Sequence, residues 1–389
     1  MVLKIADNIY SPLGFTTAEN YAAVKQGRSM LQSYPAGTMD LPEPFTASLF
    51  NWDHVAVTDG FTRFESICIQ SIRRALADAD IDVHSPRVLF ILSTTKGNVE
   101  LLDNRSPQFP DKHIQQFPEN RVLLSETARQ IARHIGFTTQ PLVVSNACIS
   151  GLSAQITAMR LLESGAFDIA VVCGADVQSR FIISGFSSFK ALSPMECRPF
   201  DIERVGLNLG EAAATIVYKR CEVRGARCEG RGTECGEGWQ AVSGAVRNDA
   251  FHISGPSPKG EGSYRAIRDA LGNIDADELA FINVHGTSTM YNDEMESAAI
   301  DRAGLLDVPV NSLKGYYGHT MGAAGVLETI LSMAAVDDGT ILGTRGYEEL
   351  GVSHQVKLSA HHAPTAKRAF LKLLSGFGGC NAAMGFRRS

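Results

Sequence analysis

The chain has 389 residues, 44% of them hydrophobic and 20% charged, with a formal net charge of −6. That length can bury a large core, as two domains or one duplicated unit, and the acidic balance excludes a protein held on nucleic acid by bulk charge. No apolar run reaches the ~18 residues that span a bilayer and Met1-Val-Leu-Lys-Ile5 lacks a secretion-signal pattern, so no membrane association is expected and the cytoplasm is the expected compartment.

In chain order, strand and helix signals alternate, the pattern of a layered α/β fold. A helix is predicted over Phe61 to Ala79, carrying Arg63, Arg73 and Arg74, and a buried strand over Arg87 to Ser93, which runs into Thr94-Thr-Lys-Gly-Asn98. Glu126 to His134 reads as a helix. The apolar run Pro141 to Ala147 gives way at Cys148 to a helical pattern over Ile149 to Leu162. A thiol at a strand-to-helix junction lies in the positive field of the helix start, which favours the thiolate, and the small neighbours Ala147, Ser150 and Gly151 leave room for a substrate. A cysteine on its own is more often simply buried; what sets Cys148 apart lies downstream.

Ile169 to Gly174 and Ala214 to Tyr218 are further strands. The pattern breaks near Lys219, where the Gly-, Cys- and charge-rich stretch Arg220 to Gly238 begins, and a division into halves 1–219 and 220–389 is placed there. Cys68, Cys148, Cys173, Cys197, Cys221, Cys228, Cys235 and Cys380 form no Cys-x-x-Cys pair, so neither a zinc site nor a disulfide framework is suggested and free thiols are expected. In the second half, the strand Phe281 to Val284 stops at His285 and is followed by Gly-Thr-Ser-Thr289. Another strand over Pro309 to Leu313 leads to Lys314 and then to His319, at the mouth of a Gly/Ala-rich helix. Strand, Ser145, Cys148 and small-residue helix are thus echoed by strand, Ser312, His319 and small-residue helix, which points to internal duplication. A cysteine and two histidines at such junctions suit acyl transfer with carbanion chemistry.

The pieces Asn146-Ala-Cys148-Ile-Ser-Gly151, His285-Gly-Thr-Ser-Thr289, Lys314 with Gly318-His319-Thr-Met-Gly-Ala-Ala-Gly325, and Gly376-Phe377-Gly-Gly379 resemble the β-ketoacyl-acyl-carrier-protein synthases, most closely the elongating type with two histidines. The resemblance spans nearly the whole chain. It implies an α/β thiolase fold, two αβα halves stacked into five layers, αβαβα, with two central helices in the middle. It implies decarboxylative condensation: Cys148 carries an acyl group, malonyl-acyl-carrier protein loses CO2, and His285 and His319 hold the enolate. By the same resemblance the backbone N–H groups of Cys148 and Phe377 hold the oxyanion, Thr287 and Thr289 bind the pantetheine arm, and Ile149 shapes the acyl pocket. Lys314 is implied to lie beneath the site and pair with Glu296, near Asp293. No cofactor or metal is implied, because both substrates arrive on the phosphopantetheine of acyl carrier protein.

That carrier is acidic, so a local basic patch is needed, and Lys190 with Arg63, Arg73 and Arg74 are the candidates. The family is dimeric, which leaves a homodimer or a heterodimer with a related subunit. Two other readings share the fold. A chain-length factor, the non-catalytic partner subunit, lacks the nucleophile, whereas Cys148 and both histidines are present here. A thiolase acting on coenzyme A esters would use a second cysteine, for which Cys380 offers itself, but Cys380 stands in the Thr-like place after Gly-Phe-Gly-Gly. Glu203 to Ala212 and Ser93 to Asn98 depart from the family pattern, which implies an unusual pocket and a specialised pathway such as polyene synthesis.

Overall fold

The computed structural model describes residues 1–103, 117–221 and 237–389; most of the Arg220 to Gly238 stretch, with Cys228 and Cys235, lies outside them. The first half supplies β1 (Val2–Tyr10), α1 (Arg63–Ala77), β2 (Val88–Ser93), α2 (Leu124–Ile135), β3 (Leu142–Val144), α3 (Ser150–Glu163), β4 (Ile169–Asp176), α4 (Arg180–Ser188) and β5 (Ala212–Arg220). The second supplies β6 (Trp239–Asn248), α5 (Glu261–Leu271), β7 (Leu279–Asn283), α6 (Met290–Arg302), β8 (Pro309–Asn311), α7 (Ala324–Asp337), β9 (Ala369–Gly376) and β10 (Cys380–Arg388). The expected division at 219/220 falls at the last residues of β5.

The strand order carries the duplication. In the first half it runs β1-β5-β4-β2-β3, and in the second β6-β10-β9-β7-β8, with Lys357–Leu358 added beyond β8. The senses repeat as well. β1 and β5, and β5 and β4, are antiparallel, while β4, β2 and β3 run parallel. β6 and β10, and β10 and β9, are antiparallel, while β9, β7 and β8 run parallel. The halves join edge to edge where Val2 faces Ala241 and Leu3 faces Gln240.

Helices cover both faces. α1, with α2 beside it, packs on β1, β5 and β4; α5, with α6 beside it, packs on β6, β10 and β9. α3 and α7 lie against each other, each touching strands of both halves, so the layers read αβαβα. β2 is buried along its whole length, as its unbroken Val-Leu-Phe-Ile-Leu run requires of a central parallel strand. The predicted helix from Phe61 is trimmed to Arg63 because Thr62 caps it, its side chain accepting from the Glu65 N–H while Glu65 accepts from the Thr62 N–H.

The two central helices approach unusually closely. A Cβ on Gly325 would fall 2.3 Å from the Leu152 nitrogen, and one on Gly151 would fall 2.9 Å from the Gly322 carbonyl oxygen. Gln155 clamps the crossing by donating to the carbonyls of Gly151 and Gly325. The small residues at the start of both helices therefore set the distance between the residues just before them, Cys148 and His319. Among the described residues no helix is long and apolar enough to cross a membrane.

Candidate active site

Cys148 sits in a tight turn between β3 and α3. Ala147 takes φ +45°, a left-handed conformation that a non-glycine residue holds only under restraint. The restraint is Ser150, whose hydroxyl donates to the Ala147 carbonyl (2.6 Å) and accepts the Asn146 N–H (2.8 Å). The end of β9 closes on this turn: a Cβ on Gly376 would lie 3.1 Å from the Cys148 nitrogen and 3.1 Å from Cys380 Sγ. Phe377 follows, and the turn after it uses Gly378 at φ +84° and Gly379 at φ +74°.

His285 lies two residues beyond β7 in a loop gripped by α6. One carboxylate oxygen of Glu296 accepts the His285 N–H and the other the Gly286 N–H, each at 2.7 Å. Asp293 accepts the N–H groups of Thr287, Ser288 and Phe200. Burial pushes Glu296 up to about 7 and Asp293 up to about 6, with these N–H groups opposing it. Thr287 and Thr289 share a hydroxyl hydrogen bond of 2.9 Å.

His319 is held from the opposite side. Its N–H donates to the Asn208 carbonyl (2.7 Å), and its carbonyl accepts the Gly210 N–H (3.0 Å). Gly210 must be glycine for this, because a Cβ there would overlap the Tyr317 carbonyl oxygen at 1.9 Å. His319 Nδ1 accepts the Met321 N–H (3.3 Å), which puts the ring proton on Nε2, an atom with no partner among the described residues. The two imidazoles meet edge to face, centroids 4.9 Å apart. One ligand-type atom from each of Cys148, His285 and His319 lies within 4.8 Å of the others.

Beneath them is a buried charge cluster. The Lys314 ammonium donates to Glu328, and Lys372 donates to the other Glu328 oxygen at 2.5 Å and to the Val284 carbonyl at 3.3 Å. The expected Lys314–Glu296 pair is not formed, because both Glu296 oxygens are taken by backbone N–H groups and Glu328 offers Lys314 a carboxylate from α7. Burial works against the charge on Glu328, but Lys314 and Lys372 together outweigh it and hold the carboxyl below its usual range. Lys96, also buried, pairs with Asp176 at 3.3 Å.

Burial, aided or opposed by these charges, sets the protonation states. Burial, then Lys314, holds both histidines well below their ordinary range, so both are neutral. Burial pushes the Cys148 thiol up to about 12, with the neighbouring Cys380 adding to the rise and Lys314 opposing it. Contrary to the thiolate expected from the helix start, burial favours the thiol as the resting form. The surrounding ammonium groups of Lys96, Lys314 and Lys372 also disfavour a metal ion on the three donors.

A cavity of about 530 Å³ opens from this set to the surface. Cys148, His285, His319, Thr287, Thr289 and Phe377 line it, with Lys190 exposed at the rim. Phe377 stacks on Phe186 and meets Phe189 edge-on. The other predicted positions lie elsewhere. Ile149 is fully buried in the apolar cluster between the sheets and does not line this cavity. Arg63 and Arg74 lie over the rings of Trp52 and Tyr10, and Arg73 bonds His134; none of the three lines the cavity. Of the eight cysteines, Cys68, Cys148, Cys173, Cys197 and Cys380 are free as expected, whereas Cys221 is disulfide-bonded; the sequence just after it carries two more cysteines.

Sequence reasoning missed Glu328, Lys372 and Gly210. Glu328 is a lone acid in the apolar run Val326 to Met333, and Lys372 a lone base in Ala369 to Leu374. A single charge in a fully apolar element is a readable sign of a buried ion pair. Gly210 gives no such sign, since its reason is a loop distant in sequence.

The duplicated layers and a thiol facing two imidazoles define a condensing enzyme of the thiolase fold. A ketosynthase in complex with its chain length factor, from Xenorhabdus doucetiae, superposes with a TM-score of 0.85 over 100% of this chain and 98% of that one, at 24% identity. The chain belongs to the β-ketoacyl synthase family: the N-terminal domain family matches residues 12–223 and the C-terminal domain family residues 240–348. It is 30% identical over 354 residues to the ketoacyl synthase alpha subunit of the tetracenomycin polyketide synthase of Streptomyces glaucescens, covering 83% of this chain and 80% of that one. It is 28% identical to a putative mitochondrial 3-oxoacyl-[acyl-carrier-protein] synthase of Schizosaccharomyces pombe, covering 84% and 81%. The protein is thus an acyl-transferring condensing enzyme of fatty-acid or polyketide synthesis.

Proposed function

We propose that Cys148 is the residue that carries the growing acyl group and that His285 and His319 stabilise the carbanion that extends it. The observation that supports this most is the His319 tautomer: Nδ1 is occupied by the Met321 N–H, so Nε2–H is a fixed donor aimed into the cavity that Cys148 shares. In the first half-reaction the Cys148 sulfur attacks the acyl thioester, and the proton the thiol gives up leaves with the pantetheine thiol. Malonyl thioester then enters, its C–C bond to the carboxylate breaks, and CO2 departs. The electron pair moves onto the thioester oxygen as an enolate, where the two histidines donate. The enolate carbon attacks the acyl carbonyl, the backbone N–H groups of Cys148 and Phe377 hold the oxyanion, and collapse returns Cys148 and a β-ketoacyl product.

Thr287 and Thr289, on the cavity wall, are placed to bond the pantetheine amides. Lys190 at the rim is the first contact for an acidic carrier protein, with Arg63, Arg73 and Arg74 as the further candidates. β3 is an edge strand directly before the nucleophile, which supports a dimer built by extending the sheet there, with a second copy or a related subunit. The cytoplasm is the proposed compartment. Intact-mass analysis after mixing with acyl-carrier protein tests the central claim: acyl mass should appear on the protein and vanish in Cys148→Ala. Acylation retained in that variant would refute it.

A further inference from the structure

We propose that Lys372 is a positioning residue that holds a surplus positive charge beneath the histidine pair, favouring the anions of the reaction. This rests on the roles just assigned to His285 and His319.

Three observations carry it. Lys314 and Lys372 share the single carboxylate of Glu328, and all three side chains are at most 3% exposed, so the cluster keeps a net positive charge out of water. Lys372 is tied to the site through the backbone, since its ammonium donates to the carbonyl of Val284, the residue before His285. Its charge also reaches the chemistry: after burial and Lys314, Lys372 adds to what disfavours a proton on both His285 and His319.

The groups around it are few. Glu328 on α7, Lys314 before it and Glu296 on α6 act on Lys372 itself. Around the imidazoles stand Cys148, Lys96 with Asp176, and Asp293. Glu328 is shared and Glu296 is committed to backbone N–H groups. Lys372 is therefore the ammonium whose removal changes the net charge without opening the Lys314 pair. Burial, which Glu328 only partly offsets, brings Lys372 down to about 8. Its charge is present below that pH and lost as pH rises through it.

The test compares the full-length protein with Lys372→Met and Lys372→Arg. NMR titration of ring-13C-labelled histidine, which requires no turnover, should show the His285 and His319 midpoints raised by about one unit in Lys372→Met, because a repelling cation has gone. Decarboxylation of malonyl-acyl-carrier protein by the wild type should fall as pH rises through about 8. In Lys372→Met it should be about tenfold slower below that pH and show no such fall. Lys372→Arg should retain the rate and carry it to higher pH. Unmoved histidine midpoints in Lys372→Met, or a Lys372→Arg profile that still falls near 8, would overturn the proposal. If Lys372→Met does not fold, the comparison of Lys372→Arg with wild type decides. Absence of acyl transfer to wild-type Cys148 would instead reject the functional reading, and the histidine titration would still judge Lys372.

Discussion

Glu328→Gln should destabilise the protein by about 3–5 kcal/mol at pH 7, the range for removing one partner from a buried ion pair. The figure follows from what stays behind. Two ammonium groups, at 1% and 0% exposure, lose the carboxylate that holds both, and glutamine would keep an oxygen at one of them and turn its NH2, a donor, toward the other. The cheapest relief is for Lys372 to give up its proton, since burial already brings it to about 8 from an ordinary 10.5. A lysine whose folded-state value is depressed binds fewer protons folded than unfolded between those two values, so stability rises with pH through that window. In the wild type the window opens near 8; without Glu328 it opens lower. The deficit of the variant should therefore shrink between pH 7 and pH 9. Urea unfolding at both pH values, read as a midpoint shift at constant m-value, measures it. A loss below about 1 kcal/mol at pH 7 would mean that the lysines are not held as a buried charged cluster, and the reasoning would fail.

Replacing His285 or His319 with Ala should cut malonyl-thioester decarboxylation by about 100-fold or more, while acylation survives because the histidines are assigned to the enolate and not to activating the thiol; single-turnover mass spectrometry and CO2 release separate the two steps. Gly210→Ala places a methyl group against the Tyr317 carbonyl and should displace His319. Its kcat should drop with little change in the rate of Cys148 acylation, and an unchanged kcat would show that the loop yields freely. Lys190→Glu should raise KM for an acidic carrier and its salt dependence, leaving a small pantetheine thioester untouched; equal slowing of both substrates would remove Lys190 from the docking surface.

The elements were legible where one physical signal dominated. The unbroken apolar run of β2 and the junction at Cys148 both read directly, and the paired junctions at Cys148 and His319 announced the duplication that the strand orders display. The three reactive side chains were named for the same reason, since each sits where a strand gives way to a helix or loop. Partners across space were not legible. Lys314 and Glu296 were matched by their places in motifs, yet the carboxylate that reaches Lys314 comes from α7, and only packing decides which of two buried acids turns toward a given lysine. The thiol state of Cys148 was misjudged for a related reason: a helix start can be read from local sequence, whereas desolvation depends on everything that closes over it. Arg63, Arg73 and Arg74 show the same limit, because a helix predicted correctly still does not reveal that these side chains meet Trp52, His134 and Tyr10.

The close crossing of α3 and α7 has a consequence for how the enzyme can vary. Because Gly151 and Gly325 leave no Cβ between the helices, the spacing of sulfur and imidazole is a helix-to-helix separation, and side chains that thicken this seam would pull the reacting atoms apart. Adaptation to a longer, bulkier or more polar acyl chain is therefore confined to surfaces away from the seam, above all the aromatic rim of Phe186, Phe189 and Phe377. The machinery behaves as a fixed anvil, and selectivity belongs to what is bolted around it.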